Sequence, residues 1–182
     1  MSTINVNALD KESGSTLTLG TSGTTVDIPS GATLDVTGAT VSGLSAGKVL
    51  QTVSASYATT ETTTSTSYVD TSLSATITPA SSSNKILIWV ATAWFSNHGT
   101  NPAAYARIYN STDAVELATT YIEAYTPEAS SVYHGVPCSI VGEDTGRSVA
   151  TTYKLQHKAA AAGRNSKMQN ENNKGWIILM EV

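Results

Sequence analysis

The chain has 182 residues, 40% of them hydrophobic and only 13% charged, with a formal net charge of −4 and a pI near 5.2. Globular chains usually carry roughly 25% charged residues; the shortage of Glu, Lys and Arg disfavours a helical protein, and the acidic balance disfavours a nucleic-acid binder, which needs a basic face. No window holds the roughly 18 apolar residues of a membrane span, and the single Cys138 rules out an intramolecular disulfide and a multi-cysteine zinc centre.

The first residues, Met1 to Asn7, have neither a basic stretch nor an apolar core, so they are not expected to act as a secretory leader. Residues 1–15 read as an arm. Residues 16–47 carry a repeat of seven to nine residues. Its units are Thr16-Leu17-Thr18-Leu19, Thr25-Val26-Asp27-Ile28, Thr33-Leu34-Asp35-Val36 and Thr40-Val41-Ser42-Gly43. Gly20-Thr21-Ser22-Gly23, Pro29-Ser30-Gly31 and Thr37-Gly38 separate them, with Gly and Pro supplying turn geometry. Each unit predicts a short strand with one apolar face, built from Leu17, Leu19, Val26, Ile28, Leu34, Val36 and Val41. Two medium side chains per unit make a stripe too narrow to shield itself from water. One copy alone leaves several kcal/mol of burial unrealised at about 25 cal/mol per Å², whereas three copies around an axis cover one another. The competing reading is a flexible Thr/Gly linker, which does not explain apolar residues recurring two apart.

Residues 48–182 read as one β domain. Strands are predicted over Val49–Ser54, Tyr68–Ile77, Lys85–Phe95, Tyr105–Tyr109, Val115–Tyr121, Val132–Val141, Thr151–Lys158 and Gly175–Glu181. Leu73, Ala75 and Ile77 alternate with Ser and Thr, as do Tyr153, Leu155 and His157 with Lys154 and Gln156. The runs Ile86–Val90 and Trp176–Met180 are apolar on both faces, which places them inside a sandwich or at a subunit contact. Eight strands with turn clusters between them predict an all-β, eight-stranded jelly-roll or TNF-like sandwich. Ala58–Ser67, nearly all Thr and Ser around Glu61, is either an extended strand or an exposed loop.

Chemistry is sparse. His98 reads as a loop residue, His134 as a strand residue, and His157, between Lys154 and Lys158, as part of an edge. None pairs with another at metal-ligand spacing, although a three-fold axis would bring three copies of one together. Glu143-Asp144 reads as a polar hairpin turn, because no second carboxylate has a reason to face it. Cys138 in an apolar strand reads as a small buried hydrophobe. Asn110-Ser111-Thr112 matches a glycosylation acceptor that matters only in a secretory pathway. No nucleophile elbow or phosphate loop is present. No catalytic residue, metal site or cofactor is therefore expected. One stretch differs from its acidic surroundings: Lys158, Arg164, Asn165, Lys167, Gln169, Asn170, Asn172 and Asn173. Its amides and cations suit sugar hydroxyls and acidic glycans, and the competing reading is a solvated loop. Trp94, Tyr105, Tyr121, Tyr125 and Tyr133 are either stacking surfaces or core and intersubunit residues.

The phrases "MSTINVNAL", "GLSAGKVLQTVSAS", "TSTSYVDTSLSATITPASSSNKILIWV" and "GWIILMEV" together resemble small fibre-like virion proteins of tailed phages. The resemblance spans nearly the whole chain. It implies a homotrimer with a narrow N-terminal stem docked to other virion proteins and a C-terminal jelly-roll knob facing outward. It also implies host attachment, or alternatively decoration and cementing of the head. The expected location is the tail or head surface of a virion assembled in the host cytoplasm.

Overall fold

In a computed structural model of the chain, the described residues are 25–33, 49–96, 102–124, 134–169 and 173–182. The chain divides into two compact units, Met1–Leu44 and Ser45–Val182. Of the repeat, only residues 25–33 are described. They contain no strand, so the strand expected at Thr25–Ile28 is not formed in the single chain. Its turn is: the Ala32 N–H donates to the Pro29 carbonyl at 3.0 Å, with Gly31 at φ 87°. That positive φ at the third position is what Gly permits without a steric penalty. Val26 and Ile28 are 55% and 45% exposed. Leu17, Leu19, Leu34, Val36 and Val41, and the arm 1–15, lie outside the described residues.

The second unit is all β, with no helix among its described residues. Its strands are β1 (Gln51–Tyr57), β2 (Glu61–Thr63), β3 (Val69–Ile77), β4 (Lys85–Ser96), β5 (Ala103–Asn110), β6 (Val115–Glu123), β7 (His134–Thr145), β8 (Thr151–Ala159), β9 (Ser166–Met168) and β10 (Gly175–Glu181). Eight of the ten correspond to the strands expected from alternation; the three-residue β2 and β9 are additional.

Sheet A runs β1-β10-β4-β9-β2, with β7 on the other side of β4, and sheet B runs β3-β8-β5-β6. All pairs are antiparallel, and the long ones are nested about the turn between β5 and β6. Thus β5 pairs β6, β4 pairs β7, β3 pairs β8 and β1 pairs β10. A single long antiparallel ribbon rolled up in this way is a jelly roll. Numbered without β2 and β9, the strands stand 1-8-3-6 in one sheet and 2-7-4-5 in the other.

The core lies between the sheets. Sheet A contributes Ile86, Ile88, Val90, Trp94, Ile140, Ile177 and Leu179 to it, and sheet B contributes Leu73, Ile77, Ile108, Tyr153 and Leu155. The period of two does this: odd and even positions point to opposite faces. Trp94 is fully buried, and its indole N–H donates to Ser166 Oγ at 3.0 Å. β3 bulges between Asp70 and Ser74. Thr71 Oγ1 donates there to the Leu155 carbonyl at 2.8 Å. Glu61 accepts from the backbone N–H of Ser72 at 2.9 Å and 3.0 Å. The Ala58–Ser67 segment thus holds one three-residue strand within irregular chain, and its lone carboxylate caps the bulge.

Candidate functional site

Two surfaces and two buried polar clusters carry the chemistry of the sandwich. The first surface is the outer face of sheet A. Alternation that sends Ile86, Ile88 and Val90 inward sends Leu87, Trp89 and Ala91 outward. On β10, Trp176, Ile178 and Met180 do the same, opposite Ala91, Trp89 and Leu87. On β7, Pro137, Ser139 and Val141 stand opposite Ala93, Ala91 and Trp89. Trp89 is 47%, Trp176 43% and Val141 66% exposed. The small Ala91 lies between the two indoles, leaving a hollow of about 160 Å³ lined by Trp89, Ala91, Trp176 and Ile178. A larger depression of about 490 Å³ continues toward Phe95, Val136 and Pro137, with Asn173 and Lys174 on its lining. Apart from Trp89 Nε1–H, which donates to Ser139 Oγ at 3.0 Å, and Lys85 with Glu143 at one end, the middle of this face is apolar. A contiguous exposed apolar face on a folded domain marks an interaction site.

The second surface is the outer face of sheet B, where Tyr, Arg and Lys alternate. The Arg107 guanidinium lies 3.9 Å from the Tyr68 ring centroid and 4.6 Å from that of Tyr109. Lys158 Nζ lies 4.6 Å from Tyr68 and 4.9 Å from Tyr105.

Asp144 anchors the first buried cluster. It is 6% exposed and accepts from Asn110 Nδ2 at 2.9 Å, Arg147 Nε at 2.9 Å and Tyr153 Oη at 3.0 Å. Burial pushes its carboxyl up, but these donors and the Thr145 N–H outweigh burial and hold it below the ordinary carboxylate range. Burial pushes the Tyr153 phenol up. Arg147 also pairs with Asp113 at 2.9 Å, so the cluster ties the β5–β6 turn to the β7–β8 turn. Glu181 anchors the second cluster, taking Gln51 Nε2, the Ala80 N–H and Asn84 Nδ2. Burial again raises it and the donors lower it further. Both carboxylates are satisfied by this chain's own donors, which makes them structural.

Several sequence expectations are corrected. Asp144 is not a turn residue: β7 continues to Thr145 because it pairs β4 as far as Lys85. His157 is not on an edge. β8 lies between β3 and β5, and the imidazole is 1% exposed, with Nδ1 2.9 Å from Ser166 Oγ. Burial without a charge partner lowers its pKa to about 4, so it is neutral near pH 7. Cys138, by contrast, is buried as the sequence predicts, and burial pushes its thiol up to about 12; it is an unreactive core side chain.

The eight residues singled out for a glycan surface do not form one patch among the described residues. Lys158 points out of sheet B. Arg164 and Asn165 lie between β8 and β9, and Lys167 on β9 stands opposite Phe95 in sheet A. Gln169 is fully buried at φ 50°, its amide donating to Thr92 Oγ1 at 2.7 Å; it cannot belong to an exposed surface. Asn173 lines the sheet A depression, and Asn170 and Asn172 lie outside the described residues, as do His98, Tyr125 and Tyr133. Sequence reasoning treated Tyr105 and Tyr121 singly and missed Tyr68, Arg107 and Tyr109, because only strand register brings them together.

Strand order and the two outer faces define a class: an antiparallel jelly-roll sandwich with one apolar and one polar-aromatic outer face. No protein-family model matches the chain, and no curated protein matches it in sequence. Solved structures similar to it include Eiger TNF from S. frugiperda, 15% identical, with a TM-score of 0.35 over 55% of this chain and 60% of that one. Another is infectious bursal disease virus, Gx strain, 13% identical, with a TM-score of 0.37 over 75% of this chain and 39% of that one. The chain spans less than two thirds of either. Likenesses this distant say nothing of function, and the jelly roll rests on the strand order itself.

Proposed function

We propose that the chain is a non-enzymatic structural protein of a phage virion. In this reading it is a short homotrimeric tail fibre or spike, docked to other virion proteins through its N-terminal arm and displaying the sandwich for host attachment. The observation that carries the reading is the outer face of sheet A. Trp89, Trp176 and Val141 lie roughly half or more uncovered on neighbouring strands, and the two indoles border an apolar hollow of about 160 Å³. Water contact on such a face is unfavourable at about 25 cal/mol per Å², and three copies that turn this face toward one axis cover it with one another's apolar area. Val26 and Ile28, half exposed in the single chain, add a second reason for self-association. Their stripe is narrow, and narrow stripes are covered on every side when three meet on one axis. The phage assignment is supported by the phrase-level resemblance along the chain.

Sedimentation equilibrium of the purified protein tests the assembly, with three times the 18.9 kDa chain mass expected. A monomer at micromolar concentration overturns it. Cryo-electron microscopy of the particle tests the location. Density at the tail supports the fibre, and density at three-fold positions across the head replaces it with a decoration protein.

A further inference from the structure

The strand register of sheet B sorts its outward side chains into cross-strand rows. Tyr105 stands opposite Tyr121 on one side and Lys158 on the other, and Lys158 leans over Tyr68. One pleat further along, Arg107 stands between Thr119 and Gln156, with Asp70 opposite Gln156. In the next row Tyr109 stands between Glu116 and Lys154. Four strands at about 4.8 Å spacing and three rows at about 6.8 Å make a platform roughly 14 Å on each side, room for an oligosaccharide.

Most of the platform is locked by its own contacts. Arg107 donates to Gln156 Oε1 at 2.7 Å and to Glu116 Oε2 at 2.8 Å. Lys154 pairs with Asp70 at 2.7 Å, and Gln156 donates to the same carboxylate at 2.6 Å. Two groups are only partly engaged: the Tyr121 hydroxyl bonds Glu123 but its ring keeps an exposed face, and Lys158 meets rings rather than a carboxylate. Tyr121 is 49% exposed, its ring tilted 50° and 5.0 Å from that of Tyr105. Lys158 has ring contacts but no carboxylate within ion-pair distance among the described residues. A half-exposed aromatic ring and, two strands away across Tyr105, an ammonium with no carboxylate partner among the described residues, about 10 Å apart at the ordinary strand spacing, suit one ligand chemistry. A pyranose lays its C–H face on the ring, an acidic substituent meets the cation, and hydroxyls meet Thr119 and Glu116. Nucleic acid fits poorly: two of the three cations are already paired, so no continuous positive track for a phosphate backbone exists.

We propose that the outer face of sheet B binds a carboxylated polysaccharide, with Tyr121 stacking a sugar ring and Lys158 taking the carboxylate of the adjoining sugar. The proposal rests on the attachment reading only for the source of the sugar, a host-surface glycan. Calorimetric titration of the purified protein with oligogalacturonate, a chain of carboxylated hexoses, tests the site wherever the protein sits on a particle. Saturable binding is expected, weakened about tenfold by Lys158→Gln, by loss of one charge-assisted contact, and by a similar factor in Tyr121→Ala. Lys85→Gln on the opposite sheet leaves it unchanged, and melting curves confirm that all variants fold. Neutral maltohexaose binds more weakly and is indifferent to Lys158→Gln. The proposal is overturned by absence of saturable binding to folded wild-type protein, or by equal affinity in both variants. It is also overturned by equal affinity for polyphosphate or oligothymidylate, which signals charge or nucleic-acid binding without sugar recognition. None of these failures touches the trimer or its location, which have their own tests.

Discussion

Replacing the two outward indoles of sheet A, Trp89→Glu with Trp176→Glu, is expected to convert the assembly to monomers without unfolding the sandwich. A fully exposed tryptophan presents about 250 Å², so exposures of 47% and 43% leave roughly 220 Å² of indole uncovered per copy. At about 25 cal/mol per Å² that is about 5 kcal/mol per copy, upwards of a thousandfold in an association constant. Two carboxylates on the same face add the penalty of burying unpaired charge. Folding is spared because both side chains point away from the core, and an outward Glu in a strand costs about 1 kcal/mol or less. Sedimentation velocity reads the oligomer, and near-ultraviolet circular dichroism with thermal melting reads the fold. The control is Val149→Glu, at a residue 61% exposed on the β7–β8 turn; it leaves the oligomer intact. A double variant that sediments like wild type across the micromolar range refutes the assignment of this face as the contact.

Three further outcomes follow, two from buried groups and one from a turn. Burial holds His157 near 4, against about 6.5 in an unfolded chain. The unfolded state therefore takes the proton first as pH falls. Stability is intact above about pH 6.5 and declines by about 1.4 kcal/mol per pH unit toward pH 4, about 3 kcal/mol in all. Urea melts of wild type and His157→Gln read this, and parallel slopes over that window contradict it. Asp144→Ala removes the shared acceptor of Asn110, Arg147 and Tyr153 and is expected to cost about 3 kcal/mol in a chemical melt. Because the Asp144 carboxyl is held low, its contribution is present above the ordinary carboxylate pKa and lost as pH falls through the folded one. A loss under 1 kcal/mol would make the cluster ornamental. Ala114 closes the β5–β6 turn at φ 59°, and Ala114→Gly is expected to raise stability by about 0.5–1 kcal/mol by relieving a left-handed Cβ clash. An unchanged or lowered melting temperature counts against that strain.

The long strands were legible because their signal is local. Leu73-Ser74-Ala75-Thr76-Ile77 alternates, and alternation is what burial on one face requires. The two-faced runs Ile86–Val90 and Trp176–Met180 were equally legible as interior or contact strands: one face packs the core and the other is the exposed apolar surface. β9 was not legible and β2 was legible only as either strand or loop, since three residues become a strand only through a distant partner; Glu61 stands opposite Met168. His157 shows how a correct pattern is misread. Lys154 and Lys158 beside it suggested an edge, but side chains an odd number of positions apart in a strand point to opposite faces. Asp144 was misread for want of register, because only its pairing with Ile86 shows that β7 has not ended. The sheet B platform combines residues from Tyr68 to Lys158, and no sequence window contains a row that only register assembles.

The two outer faces give a test that joins assembly to recognition. If copies associate through sheet A, sheet B of every copy faces away from the contact, because the two outer surfaces of a sandwich are opposed. Each trimer then presents three saccharide platforms to solvent. A single stacked sugar with one ion pair binds weakly, but linked sites raise the effective local concentration and multiply avidity by about 10² or more when the ligand can bridge them. The Trp89→Glu, Trp176→Glu variant should therefore keep the wild-type affinity for short oligogalacturonate in titration, since neither residue lies on sheet B. The same variant should lose most of its retention on a surface coated with long polygalacturonate, where only a multivalent particle is held. Equal loss in both assays would mean that the platform is built by the assembly and is incomplete in one chain. Equal retention in both would mean that the three sites do not act together.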